Sequence, residues 1–294
     1  MSNTTYNGTT ALVTGASAGI GLAYAEGLAA RGADVVLVAR RKDRLERTAH
    51  ELSAKHGVNC HVVAADLSVA GSAASIKEQT DTMGLKVATL VNNAGFATYG
   101  PVHRVDAAAD HGEVMVNAVN TVAMTHAYLG EMIAADRGNI LNISSIAAMQ
   151  PIPFMAVYGA TKAFILSFTE ALWYETKDTN VRVISVLPGA TDTEFFDVVG
   201  NNEETLFGNK IAPSVVVDKS LAALEKRRPS VVIGARNKIA CLLPRFVSRK
   251  MVLRISGGVT TPKNEDSIPA GGMAARPQPA VAPEPRVPAE NAAR

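Results

Sequence analysis

Short runs of β-branched and other apolar residues alternate along the chain with longer segments in which apolar positions recur every three or four residues. The short runs are TALVT (10–14), DVVLVA (34–39), CHVVAA (60–65), TLVNN (89–93), GNILNIS (138–144), VRVISVLP (181–188) and SVVIG (230–234). Most are apolar throughout rather than alternately apolar and polar, which is the pattern of strands covered on both faces. The longer segments, 19–31, 41–56, 70–83, 105–135, 154–178 and 213–227, are amphipathic and predict helices. The repeated β-α-β order predicts an α/β fold: a doubly wound parallel sheet of about seven strands, helices on both faces, right-handed crossovers. Ligands then bind beyond the carboxyl ends of the strands.

The pattern changes after the last predicted strand. Residues 226–263 contain ten Lys or Arg and no Asp or Glu. Within them KIACLLPRFVSRKMVLRI (238–255) mixes apolar and basic positions. Two readings fit: a lid or capping helix over a substrate cleft, broken near Pro244, or a surface that meets anionic lipid or an acyl-CoA phosphate. Residues 262–294 hold seven of the fourteen prolines and read as a disordered tail. The predicted organisation is a dinucleotide-binding and catalytic domain over 1–235, a basic amphipathic segment over 236–258 and a tail over 259–294.

Composition narrows the classes of function. The 294 residues are 47% hydrophobic and 19% charged, enough for one large α/β core. A net charge of +2 gives no argument for nucleic acid. Cys60 and Cys241 form neither a disulfide framework nor a metal cluster, and a reducing cytosol is the simplest setting. The N-terminus lacks the basic-then-apolar pattern of a signal peptide, and no uncharged apolar run reaches the ~18 residues of a membrane span. The histidines at 50, 56, 61, 103, 111 and 126 show no ligand-like pairing, so no metal is expected.

Candidate chemistry begins at TGASAGIG (14–21), which follows the first strand and opens a helix. Glycines there let the backbone turn tightly and approach a pyrophosphate, and the helix N-terminus offers free N–H groups to the anion. The context makes this a dinucleotide-binding turn, with Gly15, Ser17, Ala18, Gly19, Ile20 and Gly21 as candidate contacts. The second strand ends VLVARRKDR: Ala39 stands where an acid would hold a ribose 2′-hydroxyl, and Arg40 and Arg41 follow. Arginine suits a 2′-phosphate, which favours NADP(H) over NAD(H). Arg40 is the first candidate, with Arg41 also suited to starting the next helix. Asp66, next to Leu67 after the third strand, is either an adenine contact or a turn residue.

Tyr158 and Lys162 in YGATK lie one helical turn apart, so they share a face. Together with NNAG (92–95), Asn117 in MVNAV, Ser145 in NISSIA and PGATDT (188–193), they make the chain resemble the short-chain dehydrogenase/reductase family over about residues 9–234. Within it, the chain is most similar to ketoreductases of the branch that includes 3-ketoacyl reductases. The resemblance implies a Rossmann-like fold, a nicotinamide cofactor and a catalytic tetrad of Asn117, Ser145, Tyr158 and Lys162. Tyr158 would be the general acid–base, Lys162 its tuning cation and a ribose ligand, Ser145 a donor to the developing oxyanion, and Asn117 the holder of a water in a proton relay. Asn120, one turn on, rivals Asn117; the family's spacing to the serine selects Asn117. The resemblance also adds Asn93, Ala94, Gly95, Pro188, Gly189, Thr191 and Thr193 to the cofactor contacts, and a homodimer or homotetramer formed through the helices at about 105–135 and 154–178.

The segment 194–210, with Phe195, Phe196 and Phe207, reads as a substrate lid, and Met149, Ile152 and Phe154 as pocket lining. An apolar pocket with one polar end suits a small hydrophobic carbonyl or alcohol substrate. The expected function is an NADPH-dependent reductase of a ketone, aldehyde or 3-ketoacyl group. The alternatives are an NAD-linked alcohol dehydrogenase of the same fold and a non-catalytic NADP-binding module. The expected place is the cytoplasm, with peripheral membrane contact through 226–258 as the sharper reading of the basic segment.

Overall fold

The computed structural model of the chain describes residues 6–192 and 210–261. Seven strands, β1 (Thr10–Thr14), β2 (Asp34–Ala39), β3 (Cys60–Ala64), β4 (Val87–Asn92), β5 (Gly138–Ile143), β6 (Val181–Leu187) and β7 (Ser230–Val232), form one sheet. Their order is β3-β2-β1-β4-β5-β6-β7 and every neighbouring pair is parallel. The helices are α1 (Gly19–Ala29), α2 (Lys42–His56), α3 (Ser72–Thr82), α4 (Ala107–Val114), α5 (Asn120–Ala134), α6 (Ala156–Glu175), α7 (Pro213–Glu225), α8 (Ala235–Leu242) and α9 (Arg249–Thr260).

The two-faced burial inferred from the apolar strands is what packs the helices. Side chains alternate across a strand. Ala11 and Val13 of β1 therefore enter one cluster with Tyr24 and Leu28 of α1, Leu45 of α2 and Leu221 of α7. Leu12, between them, enters the opposite cluster with Ile76 of α3, Met124 and Tyr128 of α5 and Leu172 of α6. Successive strands are added outward on one side of β1 up to β3 and on the other side from β4 onward, so the winding order switches between β1 and β4, where the carboxyl ends of both parallel strands lie side by side.

Most element boundaries lie within two residues of those predicted, and two differences bear on function. The segment 105–135 is not one helix. Asp106 caps α4 by accepting from Ala108 N at 3.0 Å. A wider π turn over Met115–Val119 then separates α4 from α5. Such turns are commonly found at functional positions, and this one holds Asn117 in the interior, with its carbonyl accepting from Thr121 Oγ1 at 2.8 Å. The segment predicted to start at 154 begins as α6 at Ala156, because Phe154 is left-handed (φ 62°), a strained conformation for a bulky residue. Its carbonyl is held by Gly100 N at 2.8 Å.

The basic segment is broken at a single turn, Leu243–Arg245, around Pro244, as its sequence predicts. Beyond the break, α9 buries Val252, Ser256 and Thr260. Tyr99 Oη donates to the Thr260 carbonyl at 2.8 Å. The segment thus packs over the carboxyl edge of the sheet, as a capping element would. No helix among the described residues is long and apolar enough to cross a membrane. Val259 and Thr260, placed at the start of the predicted tail, instead belong to α9, where Thr260 is buried; the rest of that tail from 262 onward, Thr193 and the lid residues Phe195, Phe196 and Phe207 lie outside the described residues.

Candidate active site

The glycine turn is built for close approach. Gly15 and Gly19 have positive φ (67° and 55°). A Cβ on Gly21 would stand 2.2 Å from the Gly15 carbonyl oxygen and 2.5 Å from Asn93 Nδ2. The N-cap of α1, Ala18, offers its helix no side-chain acceptor, so the first-turn N–H groups face the crevice without one. The turn is pinned to β4: Asn93 Nδ2 donates to the Thr14 carbonyl at 2.9 Å, and Thr14 Oγ1 accepts from Asn93 N and Ala94 N at 2.9 and 3.0 Å. Crowded backbone, an uncapped helix end and adjoining cations are the features a pyrophosphate requires, so these residues fit a dinucleotide.

Arg40 and Arg41 are both exposed at the carboxyl end of β2, beside this turn. Arg41 is the one that reaches it, donating to Ser17 Oγ at 3.4 Å, while also standing at the N-cap of α2. Sequence reasoning ranked Arg40 first because contact across the turn is not visible in the chain order. Asp66 makes a turn just after β3: its Oδ1 accepts from Ser68 N and Ser68 Oγ at 2.9 and 2.7 Å. Leu67 is buried in the core, and its carbonyl accepts from Asn120 Nδ2. Asn120 Oδ1 is held by Ser72 Oγ at 2.8 Å, so this rival of Asn117 ties α5 to the β3–α3 connection instead of facing the site.

The four tetrad residues come together at the carboxyl edge. Ser145 follows β5 and is hydrogen-bonded to the Tyr158 hydroxyl, and its Oγ also accepts from Ala147 N at 3.1 Å. Ser144 is structural, donating to the Lys162 carbonyl at 2.7 Å. Lys162 Nζ donates to the Ile143 carbonyl at 2.9 Å and lies 5.6 Å from the centre of the Tyr158 ring. Asn117 is anchored by Phe96 N and O at 3.1 and 2.9 Å and by Thr161 Oγ1 at 3.1 Å. Gly95 faces both: a Cβ there would be 2.9 Å from Asn117 Oδ1 and 3.3 Å from Lys162 Nζ. The Pro188 carbonyl accepts from Ile146 N at 3.1 Å, joining the β6 end to the serine loop. Gly189 is covered by Asn237 of α8, and its carbonyl accepts from Thr191 Oγ1 at 3.1 Å. Ala97, Tyr99, Ile152, Phe154 and Met155 pack around Tyr158 as an apolar wall; Met149, expected beside them, is not part of that cluster.

Burial dominates the electrostatics. It pushes the Tyr158 phenol up to about 12, with the Ser145 bond pulling down and the Glu113 charge pushing up. The sequence suggested that Lys162 would hold the phenol below its usual range. In the structure both groups are dehydrated, and the loss of hydration outweighs their attraction. Lys162 is itself lowered to about 8, by burial first, with Glu113 opposing.

Glu113 is the residue that sequence reasoning missed. It is 0% exposed. Burial raises its carboxyl to about 7, against hydrogen bonds from Thr98 and the Lys162 charge, which lower it. In the sequence it reads as one acid on a solvated helix face. The available signal was its position four residues before Asn117, which puts both on one side of the helix.

No group of three or more His, Cys, Asp or Glu among the described residues is placed to hold a metal ion. The site instead gathers the Ser145 and Tyr158 hydroxyls, the buried Lys162 and the uncapped end of α1 at one sheet edge, the kinds of group that carbonyl–alcohol chemistry requires. Known proteins agree with that chemistry. The family model described as short chain dehydrogenase matches residues 9–204. Human very-long-chain 3-oxoacyl-CoA reductase is 33% identical over 254 residues, 84% of this chain and 79% of that one. A bovine protein of the same name is 38% identical over 182 residues, and there the match spans only 58% of its length. The 7beta-hydroxysteroid dehydrogenase of Collinsella aerofaciens is 33% identical over 230 residues, 77% of this chain and 86% of that one. Among solved structures, a 7beta-hydroxysteroid dehydrogenase superposes with a TM-score of 0.77 at 32% identity, covering 86% of this chain and 98% of that one. A short-chain dehydrogenase from Sphingobium yanoikuyae in complex with NADPH gives 0.73 at 30%, covering 81% and 93%.

Proposed function

The chain belongs to the short chain dehydrogenase family, and from that premise we propose that it is an NADPH-dependent reductase of a hydrophobic ketone, aldehyde or 3-ketoacyl group. The observation that carries the reading is the Ser145–Tyr158 pair, two hydroxyls bonded to each other inside an apolar wall with Lys162 behind them. When bound, the nicotinamide supplies a hydride to the carbonyl carbon. Negative charge then grows on the carbonyl oxygen. Ser145 Oγ stabilises it by donating a hydrogen bond. Tyr158 gives up its phenolic proton to the same oxygen, and Lys162 stabilises the phenolate left behind. The glycine turn and α1 end would hold the pyrophosphate, and Arg40 and Arg41 would hold the 2′-phosphate. The human and Collinsella relatives are named for carbonyls or alcohols on large apolar skeletons, which supports a hydrophobic substrate here.

Tyr158→Phe keeps the ring in its wall and removes the proton. NADPH affinity should hold while kcat against a ketone panel falls by about 10²–10⁴. Unchanged turnover would refute the tetrad. Comparing kcat/KM with NADPH and NADH decides the cofactor, and a clear NADH preference favours the NAD-linked alcohol dehydrogenase. Absence of turnover with tight NADPH binding would favour the non-catalytic module.

Two features support a reading of place and assembly. The helices α5 and α6 leave Ile133 and Phe164 exposed, which suits a cytoplasmic homodimer or homotetramer formed through them; light scattering tests it, and a monomer at micromolar concentration refutes it. The turn around Pro244 exposes Leu243 and Phe246 (81% exposed) among Arg245, Arg249 and Lys250, with no acid nearby in sequence to neutralise them. That combination suits the surface of an anionic bilayer. Vesicles containing phosphatidylserine should pellet the protein, and Phe246→Ser should weaken the effect. Equal pelleting with neutral vesicles, or by both proteins, would count against it.

A further inference from the structure

Glu113, Thr98 and Asp110 form a chain of oxygens from the buried tetrad to the surface. Thr98 N donates to Glu113 Oε2 at 2.8 Å. Thr98 Oγ1 lies 2.9 Å from the same Oε2 and 2.7 Å from Asp110 Oδ1. Asp110 is half-buried, and Glu113 is fully buried. A hydroxyl has one hydrogen and can donate to only one carboxylate. With both carboxylates ionised, one of these two short contacts would set oxygen against oxygen with no proton between them. One added proton resolves the conflict in either of two ways. Glu113 carries it and donates to Thr98, which donates to Asp110, or Asp110 carries it and the direction reverses. The two arrangements differ only by a proton hop at each hydrogen bond: one O–H breaks and one forms at Thr98, and no electrons change hands.

The inner end of this chain faces the tetrad. Glu113 Oε1 is buried and has no hydrogen-bond partner among the described residues. The ionisable groups around the carboxyl are Asp110 on its own helix and Lys162 and Tyr158 on α6. Nothing in the chemistry of carbonyl reduction uses this acid, yet the fold bears the cost of burying it one turn from Asn117.

We infer that Glu113 is a positioning residue of the site, that its proton is exchanged with solvent through Thr98 and Asp110, and that once this proton has left the carboxylate is the counter-charge of Lys162. The inference deepens the reductase reading and rests on it for its consequence in turnover. Its first test does not need turnover. In the wild-type protein without cofactor, the raised carboxyl means that folding retains a proton that the unfolded chain releases. Stability therefore falls as pH rises from the unfolded value near 4.5 to about 7. Glu113→Gln keeps the shape and removes the titration, so this step in Tm should disappear. Asp110→Asn, at the surface, removes a charge that raises Glu113, so the step should move to lower pH. The second readout is the pH profile of kcat for ketone reduction. Losing the counter-charge should move its basic limb down by about one unit in Glu113→Gln. A stability step that persists in Glu113→Gln, or a kcat profile superimposable on wild type, would overturn the inference. Loss of the step in a protein inactive on every ketone would leave the titration established while refuting the reductase reading.

Discussion

Gly21→Ala isolates the crowding at the cofactor turn. Its new methyl would sit 2.2 Å from the Gly15 carbonyl oxygen, 2.5 Å from Asn93 Nδ2 and 2.7 Å from the Gly15 carbonyl carbon. Ordinary carbon contacts lie at about 3.5 Å or more, so α1 and the turn must separate by roughly an ångström. Two of the three obstacles are backbone, and the third is locked by its bond to Thr14, so no side chain can swing aside. Overpacking of this kind costs ~1–3 kcal/mol, and the better helix propensity of alanine returns at most ~1. The net loss, about 1–2 kcal/mol, corresponds to roughly 2–4 °C in Tm at this chain length. Displacing the N–H groups of the helix end should also weaken NADPH binding, measured by cofactor fluorescence, by tenfold or more. Gly130→Ala is the control. That glycine lies in α5 with nothing within 4 Å of a Cβ, so it should gain ~0.5–1 kcal/mol and leave cofactor affinity alone. A Gly21→Ala protein as stable as wild type with the same NADPH affinity would refute the assignment of this turn.

Other predictions follow from single bonds. Tyr24→Phe removes a hydroxyl held at 2.5 Å by Ser220 in the core; since Ser220 keeps its bond to the Val217 carbonyl, the loss should be ~1 kcal/mol, read as a lowered urea midpoint at unchanged slope. Tyr99→Phe releases the Thr260 carbonyl, so amide exchange should quicken across α9 while β1 and β4 stay protected. Arg41→Ala should raise the KM for NADPH about ten- to a hundredfold and leave that for NADH nearly unchanged; equal effects on both would mean that Arg41 serves only the start of α2.

The strand pattern was legible because both-face burial writes itself locally: DVVLVA can be placed without knowing its neighbours. The cofactor turn and tetrad were legible because each is a short motif whose spacing mirrors one turn or one helix pitch. What could not be read depends on contacts distant in sequence. The π turn at Asn117 follows from packing between α4, α5 and α6. The burial of Glu113 depends on Thr98, on another segment. The upward shift of Tyr158 comes from a wall that includes Ala97, Tyr99 and Ile152, so reasoning from the Tyr–Lys pair alone gave the opposite sign. Asn120 shows the converse: its sequence neighbourhood allowed it to rival Asn117, and only its distant partners Leu67 and Ser72 turn it away from the site.

The placing of β4 beside β1 also dictates an order of events at the ribosome. TGASAGIG emerges early, but its brace, Asn93, is synthesised more than 70 residues later, several seconds at ordinary translation rates. Until then the first βαβ unit has no partner for the open edge of β1, an exposed apolar strand of the kind that invites wrong pairing. The cradle closes when β4 docks, while Ser145, Tyr158 and Lys162 are still unmade. A nascent chain stalled after β4 clears the exit tunnel should therefore hold the turn, and bind the adenine half of the cofactor, before those three residues exist.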